Sequence, residues 1–95
     1  MQVRWSREAL HDRTAIWDYL EAKDPQAAAR MDRRFAEAAL QLVDFPFIGH
    51  AGVVTGTREL TPHRSYRLIY EIIDDHVWIL ALIHHARQWP PDPTE

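Results

Sequence analysis

The chain contains no cysteine. Disulfides, thiolate metal sites and thiol nucleophiles are excluded together, and the composition suits a reducing compartment. Glycine is scarce: Gly49, Gly52 and Gly56 are the only ones, and all lie in PFIGHAGVVTG. Their spacing is not that of the dinucleotide fingerprint, and no Gly-Lys-Ser/Thr follows. That stretch reads as a turn-rich connector with room for one irregular extended piece. Lysine is nearly absent, with Lys23 alone beside ten arginines. No run approaches the ~18 apolar residues of a membrane span, and MQVRWSREALHDR lacks the apolar centre of a secretion signal. A soluble, cytoplasmic protein is expected. The 95 residues exclude a second domain or a solenoid, and 46% hydrophobic content supports one small core.

The order of elements can be read from what is present. Residues 2–5 (QVRW) form a short strand candidate, and Ser6 an N-cap for a helix over 7–22. Ala9, Leu10, Ile16, Trp17 and Leu20 share one side of that helix. Lys23-Asp24-Pro25 breaks it and caps the next. In the second helix Ala28, Met31, Phe35, Ala38, Leu42 and Phe45 recur at steps of three and four, up to Pro46. The short break makes residues 7–45 an antiparallel helix hairpin.

Strand signals fill the last third, at 57–61, 65–73 and 76–85, with Asp74-Asp75 as a turn. Alternation places Tyr66, Leu68, Tyr70 and Ile72 on one face and Arg67, Ile69, Glu71 and Ile73 on the other. In the last strand Val77, Ile79, Ala81 and Ile83 oppose Trp78, Leu80, Leu82 and His84, and both sets are mainly apolar, so this strand belongs inside the sheet. The tail 88–95 holds three prolines and reads as extended. The expectation is a single α+β domain over 1–95, β-α-α-β-β-β. Its helix hairpin (7–45) packs on a mainly antiparallel four-stranded sheet, whose C-terminal part spans 57–86.

Net charge is −3, but its distribution is uneven. Residues 46–70 carry Arg58, Arg64 and Arg67 against Glu59 alone, and Arg87 ends the neighbouring strand. Paired strands would bring these arginines towards a shared anion, a phosphate or an acidic partner peptide. The plainer reading pairs them with Glu59 and Glu71 along a solvated hairpin. His84 and His85 point to opposite faces of a strand, so they cannot together ligate one metal, and no His-Glu-x-x-His spacing occurs. One of them is a candidate acid/base. No metal and no cofactor are expected. Trp5, Trp17 and Trp89 are taken as exposed aromatics that offer grooves to a partner helix.

The ordered set of features in GTRELTPHRSYRLIYEIIDDHVWILALIHHARQWP (56–90) resembles the RelE/ParE superfamily of bacterial type II toxins. An arginine-bearing strand precedes a Tyr-Arg-aliphatic-aliphatic-Tyr strand, an acidic turn, an aliphatic strand and a closing His-x-x-Arg. SREALHDRTAIWDYL is similar to the family's first helix, with Arg13 where leucine is common, and FPFIG to its Pro-x-x-Gly. The resemblance implies two helices on a sheet and a growth-inhibiting toxin held by a cognate antitoxin in a hetero-oligomer, as in plasmid stabilization modules. Two targets follow from it: DNA gyrase, inhibited by binding, for ParE-like members, and ribosome-bound mRNA, cut by RelE-like members (mRNA interferases).

Arg67 and Arg87 match the two arginines that RelE-like enzymes place around the scissile phosphate, and Arg58 stands where they carry a lysine. Leu60 replaces a second lysine, and the tail near Pro93 replaces a terminal tyrosine. His85 aligns with a histidine of another ribonuclease branch, whose companion positions hold Ser65 and Thr61. The resemblance thus makes Arg58, Arg67, Arg87 and His85 the catalytic or target-binding set, supported by Arg64, Tyr66, His84 and Trp89. The incomplete ribonuclease set inclines the reading to the ParE-like side, with a degenerate, non-toxic binding module as the further alternative.

Overall fold

The structure is a computed structural model and describes residues 1–91. Ser6 joins its first two elements, β1 (Gln2–Trp5) and α1 (Arg7–Glu21). The Ser6 hydroxyl accepts the Ala9 N–H at 3.0 Å and donates to the Leu80 carbonyl at 3.2 Å, so one side chain caps the helix and ties it to the sheet. Asp24 caps α2 (Pro25–Asp44) by accepting the Gln26 N–H at 3.0 Å, with Pro25 in the first turn.

The two helices return on each other and are bridged by a bidentate ion pair, Arg13 Nε to Asp32 Oδ1 at 2.6 Å and Nη2 to Oδ2 at 2.9 Å. The same guanidinium lies 4.8 Å from the centre of the Trp5 ring. Arg13 thus links β1, α1 and α2, where an aliphatic side chain would supply packing alone. Ala28, Phe35, Ala38 and Leu42 form the buried stripe of α2. Phe45 leaves that stripe: the chain departs from helical geometry at this residue (φ −130°, ψ 67°), and the ring is 61% exposed. Leu10 of α1, expected on the buried side, is also exposed.

Among the described residues the sheet has five strands rather than four. To β1 are added β2 (His50–Ala51), β3 (Thr57–His63), β4 (Tyr66–Ile73) and β5 (His76–His84), in the order β1-β5-β4-β3-β2. The connector supplies β2, which pairs with Arg58 and Glu59. β1 runs parallel to β5, and the other pairs are antiparallel. β5 lies inside the sheet between β1 and β4, as its two apolar faces require. Regular pairing ends at His84, short of the expected 86. Gln88–Pro91 form no regular element, and the rest of the expected tail, 92–95, lies outside the described residues.

Two irregularities in register decide which side chains face the helices. Between Leu60 and His63 the pairing of β3 with β4 slips by one residue. Pro62 sits in that stretch and has no N–H to donate to a ladder. The second shift sets Tyr70 against Ile79 but Ile69 against Ala81, leaving Leu80 as an extra residue in β5. The simple alternation expected for β5 is therefore broken at Leu80. Val77 and Ile79 face the helices before it, and Leu82 does so after it. Phe35, Leu42, Leu68, Tyr70, Val77 and Ile79 form the centre of the core, each at most 1% exposed. Full burial of side chains of this size stabilises the fold by roughly 1.5–3 kcal/mol apiece. Ile69 and Ala81 are buried on the opposite face.

Candidate functional site

The slip in β3 separates the arginines that the sequence would bring together. Arg58 is paired with Tyr70, a residue of the helix-facing core, whereas Arg67 belongs to the other face with Ile69. Without the slip, Arg58 would stand opposite Glu71 and share the face of Arg67. Each arginine instead holds a loop on its own side. Arg58 Nη2 donates to the Phe47 carbonyl at 3.0 Å, and its guanidinium lies 5.5 Å from the centre of the Phe47 ring. Arg67 Nη1 donates to Glu59 Oε1 at 3.0 Å, and its Nη2 to the Arg87 carbonyl at 2.5 Å.

In the Arg67–Glu59 pair the carboxylate is buried and the guanidinium half-buried, with side-chain exposures of 5% and 16%. Neither the solvated hairpin nor the open anion site describes it. Its two charges neutralise each other within the sheet, and the remaining guanidinium donor fixes the turn after β5. The Nε of Arg58 and that of Arg67 are both buried with no hydrogen-bond partner among the described residues. Arg64 is exposed between β3 and β4, away from any such network.

The Phe47 loop is held a second time by Tyr70. Its hydroxyl donates to the Pro46 carbonyl at 2.8 Å and accepts the Gly49 N–H at 3.0 Å. Gly49 is required here because a Cβ would lie 2.7 Å from both the Glu59 carbonyl oxygen and the Tyr70 hydroxyl.

Arg87 sends its side chain elsewhere. It lines a cleft of about 440 Å³ between α1 and the ends of β4 and β5, with Asp12, Ile16, Tyr19, Tyr66 and His84 among its walls. Asp12, Ile16 and Tyr19 recur on one side of α1 at helical spacing. Tyr66 and His84 are cross-strand partners with edge-to-face rings 5.8 Å apart, and Phe35 packs edge-on against Tyr66 at 5.5 Å. Burial pushes the Asp12 carboxyl above its ordinary value of 3.8, opposed by the Leu82 N–H it accepts at 3.0 Å and by the charges of His11 and Arg87. The Tyr66 phenol is raised above 10.0 by burial and then by Tyr19. The cleft therefore offers one cation, an imidazole and a carboxylate less acidic than usual.

His85, the other histidine of the pair, is exposed, and its backbone N–H donates to the Ser65 carbonyl at 2.7 Å. Trp5, Trp17 and Trp89 are half-buried rather than exposed. Trp5 lies under Arg13, and Trp17 donates its indole N–H to Glu21. Of the sequence candidates, the cleft gathers Arg87, Tyr66 and His84, while Arg58 and Arg67 remain at the loops they hold. Asp12, Tyr19 and Glu59 were missed. The α1 pair was legible as polar groups in line with Ile16, but the burial of Glu59 depends on the β3 slip.

A family model for the ParE toxin of type II toxin–antitoxin systems, parDE, matches residues 3–89. The chain belongs to the ParE toxin family. Among its relatives, Y4kP of Sinorhizobium fredii, a protein named as a toxin, is 38% identical over 90 residues, covering 94% of this chain and 93% of that protein. Toxin RelE2 of Caulobacter vibrioides is 40% identical over 86 residues, covering 90% and 97%. In solved structures, a chain of the chromosomal ParDE system of P. aeruginosa superposes with a TM-score of 0.79 at 25% identity, covering 88% of this chain and 95% of that one. The toxin thus carries the two-helix-on-sheet fold of the RelE/ParE superfamily along nearly its whole length.

Proposed function

We propose that this toxin arrests growth by binding its target, DNA gyrase, as the ParE-like side of the resemblance implies, and that a cognate antitoxin holds it in a cytoplasmic complex until release. The disposition of the arginines carries this reading. Cutting a phosphodiester calls for cations converging on the developing charge of one phosphate. Here Arg58 and Arg67 lie on opposite faces, and Arg67 is neutralised by Glu59 and bonded to the Arg87 carbonyl. Leu60, in place of a lysine, packs against the core. A rigid surface built in this way suits recognition better than phosphoryl chemistry. Purified toxin is expected to inhibit DNA supercoiling by gyrase while ribosome-bound mRNA stays intact. Unimpaired gyrase together with rapid mRNA cleavage would overturn the proposal.

One observation favours the ribonuclease reading: the cleft sets Arg87 beside His84 and Asp12. In that case Arg87 would hold the phosphate and His84, rather than the aligned His85, would carry the proton of the 2′-hydroxyl or of the leaving oxygen. His84→Gln would then abolish cleavage and His85→Gln would spare it. Equal cleavage by both variants would remove His84 from that mechanism.

A further inference from the structure

Arg64 takes no part in the networks that engage Arg58 and Arg67. It stands in the turn between β3 and β4, and α2 meets that hairpin through Arg34, whose Nη1 donates to the Pro62 carbonyl at 3.5 Å. Arg30 lies one helical turn before Arg34 on the same side of α2. All three arginines are exposed. The charges of Arg34 and Arg64 both reach His63, whose imidazole is held below its ordinary 6.5 by burial first and by these two cations second.

The ion pairs among the described residues are Arg13–Asp32, Arg67–Glu59 and His76–Asp75, so Arg30, Arg34 and Arg64 have no carboxylate beside them there. Between Asp44 and Glu71 the one acid in the chain is Glu59, which Arg67 neutralises. On α2, Asp32 is held by Arg13, and Glu37 lies a turn beyond Arg34, towards the far end of the helix. That far end is acidic. Asp74 and Asp75 turn β4 into β5 there, and the Met1 amino group, next to Gln2 at that turn, donates to the Val43 carbonyl beside Asp44. A chain of net charge −3 is thus polarised, with its free cations at the opposite end. Apolar surface is segregated as well: no large apolar side chain is exposed in 25–39 or 57–72, while Leu40, Val43 and the connector expose several. Protein interfaces are centred on apolar and aromatic anchors. A patch of forked cations without such anchors has instead the make-up of a phosphodiester contact.

We infer that Arg30, Arg34 and Arg64 bind the phosphate backbone of duplex DNA, independently of its sequence. The inference rests on the gyrase reading in one respect: gyrase acts on duplex DNA, so a toxin docked on it meets that backbone. The arginines make the contact, and repulsion of the acidic end turns the other side of the toxin away from the polyanion. Three phosphate contacts release about three counterions, so affinity should fall roughly fortyfold between about 50 and 200 mM salt.

The test follows the anisotropy of a short fluorescein-labelled DNA duplex as full-length toxin is added over a range of salt. Two double variants remove equal charge: Arg34→Gln with Arg64→Gln inside the patch, and Arg4→Gln with Arg7→Gln outside it. All four side chains are exposed, and circular dichroism checks that each variant is folded. The outer variant should bind as wild type does. The patch variant should bind about tenfold or more weakly, with a salt slope smaller by about two. Equal binding by the two folded variants, or no binding by wild type at low salt, would overturn the inference. Tighter binding of an RNA duplex would assign the patch to RNA and refute the choice of DNA. Tighter binding of polyglutamate would assign it to an acidic protein and refute nucleic acid altogether. A separate supercoiling assay keeps the two readings apart: wild type that leaves gyrase unimpaired would overturn the gyrase reading, while the anisotropy still decides whether the patch binds DNA.

Discussion

Arg58 and Arg67 occupy opposite faces of one sheet and do similar work in different electrical surroundings. Each donates to a loop carbonyl, Phe47 in one case and Arg87 in the other, and among the described residues each has a buried Nε without a partner. Among the same residues only Arg67 has a carboxylate beside it. Arg58 is faced by an aromatic ring and a carbonyl, which stabilise its charge without cancelling it. The comparison shows that an arginine-rich hairpin need not be an anion site. Here the guanidiniums position loops, and what varies is how each charge is balanced.

The largest effect is expected when the charge balance at Arg67 is removed. Glu59→Leu leaves a half-buried cation unpaired and should destabilise the fold by about 2–3 kcal/mol, less than for a fully buried pair, measured by urea denaturation. Adding Arg67→Met should recover most of that loss; a double variant as unstable as the single would show that Glu59 acts through something other than this pair. On the Arg58 side the larger effect is expected from Tyr70→Phe. It strands the Pro46 carbonyl and the Gly49 N–H, at a cost of about 1–3 kcal/mol, and should speed amide exchange at Gly49. Arg58→Met should cost less, about 1 kcal/mol or below, because the Phe47 carbonyl it releases lies in an exposed loop where water replaces the donor. A loss as large as that of Glu59→Leu would mean that Arg58 bears a load comparable to the Arg67–Glu59 pair.

The smallest effect concerns Asp12, and its sign is set by pH. Its carboxyl holds a proton more tightly when folded than the ordinary 3.8, chiefly through burial. Its contribution is therefore fully present below that value and lost as pH rises through the folded value. Asp12→Asn keeps an acceptor for Leu82 and removes the titration. At pH 7 its stability should lie within about 0.5 kcal/mol of wild type. Melts taken from pH 3 upward should show the Asn variant losing less stability than wild type. A steeper loss in the variant would contradict the direction of the shift.

Much of this fold was legible in the sequence. Ser6 and Asp24 announce their helices, the stripe from Ala28 to Leu42 faces the core, and the apolar faces of β5 place it inside the sheet. Phe45 continued the stripe on paper, but the helix ends there and the ring turns outward. The two register shifts were out of reach, because alternation within one strand says nothing about where its partner skips a residue. Pro62 was visible as a proline in a strand, yet its effect on Arg58 emerges only once β3 is set against β4. The candidate site was accordingly half legible. Tyr66, His84 and Arg87 meet in the cleft, but Glu59 was read as a surface charge and nothing in the sequence singled out Asp12.

Beyond Ile79, where β1 ends, the outer edge of β5 is bonded by side chains of the α1 region: Ser6 donates to the Leu80 carbonyl, and Asp12 accepts the Leu82 N–H. The helix thus stands in for a missing strand over that stretch. The Leu82 amide can exchange with solvent only when α1 lifts from the sheet or the whole domain opens. Its deuterium uptake is a one-residue clock for helix docking, and Asp12→Ala would make it run fast while amides in the middle of β4 kept their pace.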